Sequence, residues 1–264
     1  MRIAIDHRTT YNFTAPQGRV VQLLRMTPQN THDQTVADWH ITVDCDARMT
    51  EHRDGFGNAA TMLYCEGPID SIELSVAGAV VTSSSGGTLQ GATETLAPPV
   101  FRRLTPATTA NAEIADFARI GEGRDRAALQ RLNKAVRARF GDDCGRPAAN
   151  VTAAELFARE ALTARDMAHV FIAAARAIGV PARYVSGYCD LAGDHRPTPH
   201  GWAEAWVEGT GWIGFDPWLG SSPEEHHVRV AVALDAPGAA PVAGSRLGEG
   251  VEQLHVELRV HEQG

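Results

Sequence analysis

Residues 162–188, LTARDMAHVFIAAARAIGVPARYVSGY, decide the architecture of the second half of this chain. Polar residues open the stretch and a nearly all-apolar run follows, which predicts a buried helix. Gly179 and Pro181 are typical of the end of such a helix, and the residues after them predict a strand. A helix N-terminus offers unpaired N–H groups and a positive dipole end. The residue at that place is Ala164, which has no reactive group.

A second stretch, residues 200–218, HGWAEAWVEGTGWIGFDPW, predicts a β-hairpin, because two alternating runs flank EGTG. This turn sets Asp216 opposite or diagonal to His200, and in an even register the two side chains share a face. The carboxylate would fix the imidazole tautomer and stabilise its protonated form, which is the base half of a nucleophilic site. The alternative is an ordinary strand histidine followed by an ordinary Asp-Pro turn.

Several further side chains are predicted near this pair. Indoles on the same face would either exclude water from the pair or pack as core, and these are Trp202, Trp212 and Trp218. Asp166 lies at the predicted helix start, where it would cap the helix or hold the loop. His169 falls one turn into the helix, as a hydrogen-bonded core histidine close to the site. Asp166, His169 and the three indoles are also candidates for substrate contact.

The run EEHH at 224–227, taken with His195, raises the question of a metal site. Adjacent histidines on a strand point to opposite faces, so both rarely bind one ion, and a polar strand start is the favoured interpretation. The sequence implies no metal and no organic cofactor.

The chain divides into three parts. Residues 1–85 contain short β-branched segments separated by turn residues, which predict a small β-sandwich. Residues 86–110 are rich in Gly, Ser and Pro and predict a linker or long loop. Residues 111–264 carry helical segments first and strands afterwards, which predicts an α+β core. Thr152 and Glu155 form a predicted capping box in this part.

The composition argues against some classes of function. The 264 residues are 44% hydrophobic and 21% charged, as in an ordinary soluble globular protein. The net charge of -8 and the lack of a basic stripe argue against nucleic-acid binding, and no apolar run is long enough for a membrane helix. The four cysteines form no CxxC pair, and the N-terminus lacks the apolar core of a signal peptide. We therefore expect a cytoplasmic protein with reduced thiols. A disulfide is the alternative, because the number of cysteines is even. The sequence does not constrain the oligomeric state.

With these residues assembled, the chain resembles the bacterial transglutaminase-like family of papain-type thiol enzymes. That family carries a segment G-V-C-(Q/R)-D-F-A-H before GIPARYVSGY, and later a pattern HAW-E-Y…GW-GFDP-N; residues 162–188 and 200–218 correspond to them. HHVRVAVAL corresponds to a family segment that begins H-I-V-A. The β-rich first third resembles the domain that often precedes this core in bacteria. The resemblance implies an N-terminal β-sandwich followed by a papain-like α+β core.

The resemblance also implies roles for individual residues. It places the general base on His200, the orienting carboxylate on Asp216 and the nucleophilic cysteine on Ala164. It implies a thiolate that attacks an amide carbonyl, with water or another amine resolving the acyl-enzyme. We expect a peptide or amide-containing polymer as substrate and hydrolysis as the outcome; the alternative is a true protein-glutamine transamidase. Leu162, in place of the family's frequent Gly, and VALDA, in place of a Gly-Arg-Asp-Tyr-like run, depart from the pattern.

Ala164 has two interpretations. The chain is either an engineered Cys→Ala variant, which the retention of His200 and Asp216 favours, or a natural pseudoenzyme that binds peptides or polymers without catalysis. In both cases we expect the chain to be nearly inactive, because the loss of a triad nucleophile removes most of the rate enhancement. Cys189 is a third, disfavoured candidate nucleophile, because it lacks a helix N-terminus.

Overall fold

The computed structural model of the protein describes residues 1–190 and 199–263. Within these residues the strands are β1 Arg2–Leu24, β2 Gln34–Val43, β3 Ala47–Arg53, β4 Ala59–Thr82, β5 Gly141–Asp142, β6 Ala161–Leu162, β7 Ala182–Cys189, β8 His200–Val207, β9 Gly211–Phe215, β10 His227–Ala233, β11 Val242–Leu247 and β12 Glu252–Glu262. The α-helices are α1 Ala112–Phe117, α2 Arg126–Arg139, α3 Ala153–Phe157 and α4 Ala164–Ala177. Short 3₁₀ helices span Pro98–Arg102, Pro106–Thr108 and Ala118–Gly121.

The N-terminal part is one curled antiparallel sheet in the order β11-β1-β4-β2, with β12 also paired to β1 and β3 to β4. The two longest strands, β1 and β4, pair along most of their length, with register shifts between Asn12 and Arg19. Such irregularities bend a strand and increase its twist. The sheet therefore curls around its own apolar cluster, which includes Leu24, Met26 and Leu63, and the predicted sandwich is formed by one curled sheet.

The C-terminal strands β11 and β12 belong to a different part of the fold from the one predicted. Residues 111–264 were expected to form the core alone, but β11 and β12 pair with β1 and so complete the N-terminal sheet. Edge strands expose unpaired backbone N–H and C=O groups, and pairing satisfies them. The two ends of the chain therefore share one sheet.

The second part is a four-stranded antiparallel sheet, β10-β7-β8-β9, with α4 packed against β8 and β7. Almost every side chain of α4 is buried, as the apolar sequence predicts. Gly179 ends the helix with a φ of 81°, a backbone conformation that glycine adopts without steric cost. Thr152 and Glu155 form the predicted capping box of α3. No described helix combines the length and the apolar character needed to cross a membrane.

Residues 86–110, predicted to be a linker or loop, pack against this second sheet. The N–H of Leu89 donates to the carbonyl of Trp212 and the N–H of Gly214 donates to that of Gly87, so the segment covers the edge of β9. Phe101 is buried, and its carbonyl accepts from the buried guanidinium of Arg176. The segment is a part of the fold because its backbone pairs with the sheet.

The two sheets contact each other directly. Gln34 of β2 accepts from the backbone N–H of Arg229 and donates to its carbonyl. Asn58 makes the same two-way contact with the backbone of Val232. Both amide side chains act as additional strand partners for β10. The curled sheet is therefore held against the β10 edge of the second sheet.

Candidate active site

The start of α4 is built as a helix N-terminus that leaves residue 164 in the first turn. Thr163 is the N-cap, and its hydroxyl accepts from the N–H of Asp166 at 3.3 Å. The cap is thus Thr163 and not Asp166, whose carboxylate instead accepts from the guanidinium of Arg165. Ala164 is the first helical residue and is half-buried against the apolar core.

The hairpin of β8 and β9 brings His200 and Asp216 together as predicted. Ala203 pairs with Phe215, which is an even register that sets Asp216 diagonal to His200. Nε2 of His200 donates to Oδ2 of Asp216 over 2.6 Å, and both side chains are buried. A short charge-assisted bond of this kind fixes both the ring orientation and the tautomer.

The carboxylate of Asp216 accepts four hydrogen bonds. Its Oδ1 accepts from the backbone N–H groups of Trp218 at 2.9 Å and Leu219 at 3.3 Å. Its Oδ2 accepts from His227 as well as from His200. Burial alone would raise the pKa of Asp216, but the two imidazoles and their hydrogen bonds lower it well below its ordinary value. The group is therefore a carboxylate at neutral pH.

His227 is the site residue that the sequence interpretation missed. The N–H of Glu224 donates to Nδ1 of His227 at 3.2 Å, so the ring hydrogen lies on Nε2, which donates to Asp216 at 3.0 Å. His226 is exposed in the turn before β10, whereas His227, the first residue of β10, is buried. The predicted polar strand start is found, because β10 begins at His227, but the buried imidazole of His227 also bonds Asp216, the residue after β9. His195 lies outside the described residues.

Tyr184 occupies the space between the helix start and the hairpin. Burial is the main reason that its pKa is raised; the charge of Arg165 opposes this rise, and the carboxylates of Asp166 and Asp216 add to it. Its hydroxyl lies so close to Gly201 that a Cβ there would meet it at 1.9 Å. The tyrosine is thus near the first turn of α4 on one side and near the residue after His200 on the other.

The three predicted indoles have different surroundings. Trp202 stacks beside His200 with ring centroids 6.0 Å apart and meets His227 edge-on at 5.3 Å. Trp218 is buried behind Asp216 in the main core. Trp212 is not at the site. It pairs with Trp206, which lies six residues along β8 from His200 and so roughly 20 Å away at the usual strand rise.

His169 and Glu204 have structural partners. Nε2 of His169 accepts from the N–H of Ala236, and burial lowers its pKa to about 3, with a smaller effect of Arg165 and Arg176. Glu204 is buried between two arginines. Neither side chain contacts His200 or Asp216 by a hydrogen bond among the described residues.

Cys189 lies near the pair but in a poor environment for a nucleophile. It is buried, and burial raises the pKa of its thiol, with a further rise from the charges of Asp216 and Asp190. A thiol that stays protonated at neutral pH is a weak nucleophile. All four cysteines are free, and the sulfur atoms of Cys45 and Cys65 lie 3.3 Å apart without a bond.

Sequence comparisons agree with this architecture. Residues 3–81 match the bacterial transglutaminase-like N-terminal region, and residues 114–217 match the transglutaminase-like superfamily. An uncharacterised protein of Mycobacterium leprae is 23% identical, and the alignment covers 98% of each chain. An uncharacterised protein of Mycobacterium tuberculosis is 26% identical, over 92% of this chain and 87% of that one.

A solved structure has the same fold. It is that of a presumed cysteine protease from Cytophaga hutchinsonii, 20% identical in sequence, with a TM-score of 0.75. The match covers 100% of this chain and 92% of that one, so it includes both sheets.

Proposed function

Since this chain joins a bacterial transglutaminase-like N-terminal region to a transglutaminase-like core, we propose that its site is that of a cysteine peptidase or amidase. In this proposal His200 is the general base, Asp216 orients it, and residue 164 is the nucleophile position. The observation that carries the proposal is the buried 2.6 Å contact between Nε2 of His200 and Oδ2 of Asp216. The helix that begins at Ala164 packs on the strand that begins at His200.

The reaction would run through a thioester if residue 164 were cysteine. A thiol in the first turn of α4 would have a lowered pKa, because the helix dipole favours the thiolate. Asp216 engages Nε2 of His200, so Nδ1 is the nitrogen that would take the thiol proton. The thiolate attacks the amide carbonyl carbon, and the backbone N–H of residue 164 donates to the oxyanion. His200 returns the proton to the leaving amine, and water then hydrolyses the thioester.

Ala164 has no atom that can form this thioester. We therefore propose that the chain holds a peptide or amide-containing polymer without turning it over. The buried His200–Asp216 pair favours an engineered Cys→Ala change, because a binding protein has no evident use for an oriented base. A natural binding module is the second candidate, and Ala164 itself favours it. The codon for residue 164 in the parent gene distinguishes the two origins.

Restoring the thiol tests the proposed site. We expect the new thiol of an Ala164→Cys variant to react with iodoacetamide at neutral pH about tenfold faster or more than the exposed Cys144 of the same chain, as mass mapping would show. Ala127→Cys is the matched control, because residue 127 is exposed in the first turn of α2 and the described histidine–carboxylate pairs lie on other elements. If the thiol at position 164 reacts no faster than the thiol at position 127, the helix alone explains its reactivity and the enzyme proposal fails.

Product analysis separates hydrolysis from transamidation. The same Ala164→Cys variant would be offered a peptide amide with and without a labelled primary amine. Release of the free acid in both cases supports a hydrolase, which we favour. Incorporation of the labelled amine supports the transamidase alternative.

A further inference from the structure

Three metal-ligating side chains meet beside Asp216. Sγ of Cys189 and one ring nitrogen each of His200 and His227 all lie within 4.8 Å of one another, and all three residues are buried. Strand pairing brings them together. His227 of β10 pairs with Cys189 of β7, and His200 of β8 pairs with Gly187, two residues before Cys189 on the same face.

The donor set is one that zinc prefers. A thiolate and two imidazoles bind Zn²⁺ at about 2.3 Å and 2.0–2.1 Å, which corresponds to ligand atoms roughly 3.5 Å apart in a tetrahedral site. Each separation is at most 4.8 Å, so each pair of ligand atoms would approach by up to about 1.3 Å through side-chain rotation when the ion binds. Softer and borderline metals favour this set, whereas Mg²⁺ and Ca²⁺ require oxygen ligands.

Asp216 has the place of the carboxylate that usually lies behind zinc-bound histidines. It accepts from a ring nitrogen of both His200 and His227, and such a partner orients the rings and makes them better donors. The charges also balance. One Zn²⁺, one thiolate and one carboxylate sum to zero, and burial favours a site without net charge.

We propose that Cys189, His200 and His227 bind one Zn²⁺ ion in this chain. Each neutral imidazole gives the lone pair of one ring nitrogen and keeps its hydrogen on the other. In His227 the nitrogen with the lone pair is Nδ1, which exchanges its hydrogen bond from Glu224 for the metal. The thiol of Cys189 loses its proton to solvent, so one proton is released for each ion bound. The negative charges of Asp216 and Asp190 near that thiol also attract a cation.

This inference does not rest on the proposed hydrolase function. It uses the chain with Ala164 as it is, and it holds or fails without any substrate. It does have a consequence for that function, because a histidine whose ring nitrogen binds zinc cannot also accept a proton there. The metal-bound form and a catalytic form of the site exclude each other.

Cobalt titration tests the proposal. The intact chain, first freed of metal by a chelator, is titrated with Co²⁺ at pH 7.5 and followed by visible and near-ultraviolet absorption. We expect one Co²⁺ per chain, the visible bands of four-coordinate cobalt and a thiolate-to-cobalt charge-transfer band. One equivalent of Zn²⁺ should abolish these bands. A titration of the unmodified chain that shows no stoichiometric binding, or no charge-transfer band, overturns the proposal.

Variants identify the ligands. Cys189→Ser should lose the charge-transfer band, and His227→Ala should lose tight binding. Asp216→Asn keeps all three ligands and should weaken binding about 10–100-fold. Cys144→Ser and His226→Ala remove an exposed thiol and an exposed imidazole, and both should bind as the parent does. If instead Cys144→Ser abolishes the band while Cys189→Ser keeps it, the ion binds at the surface and the assignment is wrong.

Discussion

Arg183 and Glu204 form an ion pair that is almost completely removed from solvent, with Nε of the guanidinium 2.6 Å from Oε2 of the carboxylate. The two residues face each other across β7 and β8, the strands that also carry Cys189 and His200. Arg229 of β10 bonds the same carboxylate, and the guanidinium of Arg183 lies 3.9 Å from the ring of Trp212. This network connects three strands of the sheet on which the candidate site is built.

We expect Glu204→Gln to destabilise the fold by about 3–5 kcal/mol at pH 7, because it leaves buried guanidinium charge without its partner. The measurement is urea unfolding followed by circular dichroism. Glu94→Gln is the matched control, since Glu94 bonds the same Arg183 but is one-third exposed, and its loss should cost clearly less. Equal losses of unfolding free energy in the two variants would contradict a larger contribution of Glu204 than of Glu94 to stability.

The cost of Glu204→Gln should depend on pH. Burial would raise the pKa of Glu204, but Arg229 and Arg183 lower it to about 2, whereas an unfolded glutamate titrates near 4.3. A carboxylate with a lowered folded pKa stabilises the protein above its unfolded pKa, and this contribution disappears as the pH falls towards the folded value. The stability difference between parent and variant should therefore shrink from about pH 4.5 to about pH 2. A stability difference that stays the same from about pH 4.5 to about pH 2 would contradict the ion pair of Glu204.

Asp216→Asn should disturb both imidazoles. One carboxylate oxygen accepts from the ring N–H groups, and the other accepts from backbone N–H groups. An asparagine has only one acceptor oxygen, so its NH₂ group would face either the ring donors or the backbone donors. We expect a loss of about 1–3 kcal/mol in stability, as for an unsatisfied buried donor. Long-range ¹H–¹⁵N spectra should show a changed tautomer at His200 or His227, or a lost bond at Trp218.

The same substitution also bears on the proposed chemistry. In an Ala164→Cys background, Asp216→Asn should slow iodoacetamide alkylation of the thiol at position 164, because the base is no longer held in one tautomer. Asp190→Asn is the control, since the acceptor oxygen that it offers to Glu262 is kept in an amide. An unchanged rate in the Asp216 variant would remove Asp216 from the proposed mechanism.

His169 should make the fold sensitive to mild acid. Burial lowers its pKa to about 3, while an unfolded histidine titrates near 6.5. The neutral ring stabilises the fold above pH 6.5, and this contribution is lost as the pH falls towards 3, by about 1.4 kcal/mol per pH unit. His169→Gln keeps an acceptor for the N–H of Ala236 and should flatten the dependence of unfolding free energy between pH 6.5 and 4. Identical slopes would contradict a buried neutral His169.

Gly201 should not tolerate a methyl group. A Cβ at this position would lie 1.9 Å from the hydroxyl oxygen of Tyr184 and 2.6 Å from its ring carbon, and the ring is buried. We expect Gly201→Ala to cost about 1–3 kcal/mol or more, as overpacking does. Gly55→Ala, where a Cβ meets nothing within 4 Å, should stay within about 0.5 kcal/mol of the parent. Thermal unfolding of both variants distinguishes packing from a general effect of replacing glycine.

The part of the site that lies within one hairpin was predictable. His200 and Asp216 are sixteen positions apart on two strands joined by a short turn, so the alternation of side chains and the turn length fix their relation. The same alternation misplaced Trp212, since it specifies a face of the sheet and not a position along it. His227 shows the other limit. It reaches Asp216 from β10, at the other end of the four-stranded sheet from β9, and no local pattern marks that contact.

The sequence by itself determined the helix Ala164–Ala177, the hairpin with its His200–Asp216 contact, and the family pattern, because each depends on residues close together in the chain. Only the tertiary structure decided that the C-terminal strands complete the N-terminal sheet and that Cys189, His200 and His227 converge on Asp216. These contacts join distant segments. Such segments pair where a strand edge still has unpaired backbone N–H and C=O groups and where an apolar face is still exposed. Both conditions depend on how the rest of the chain has folded.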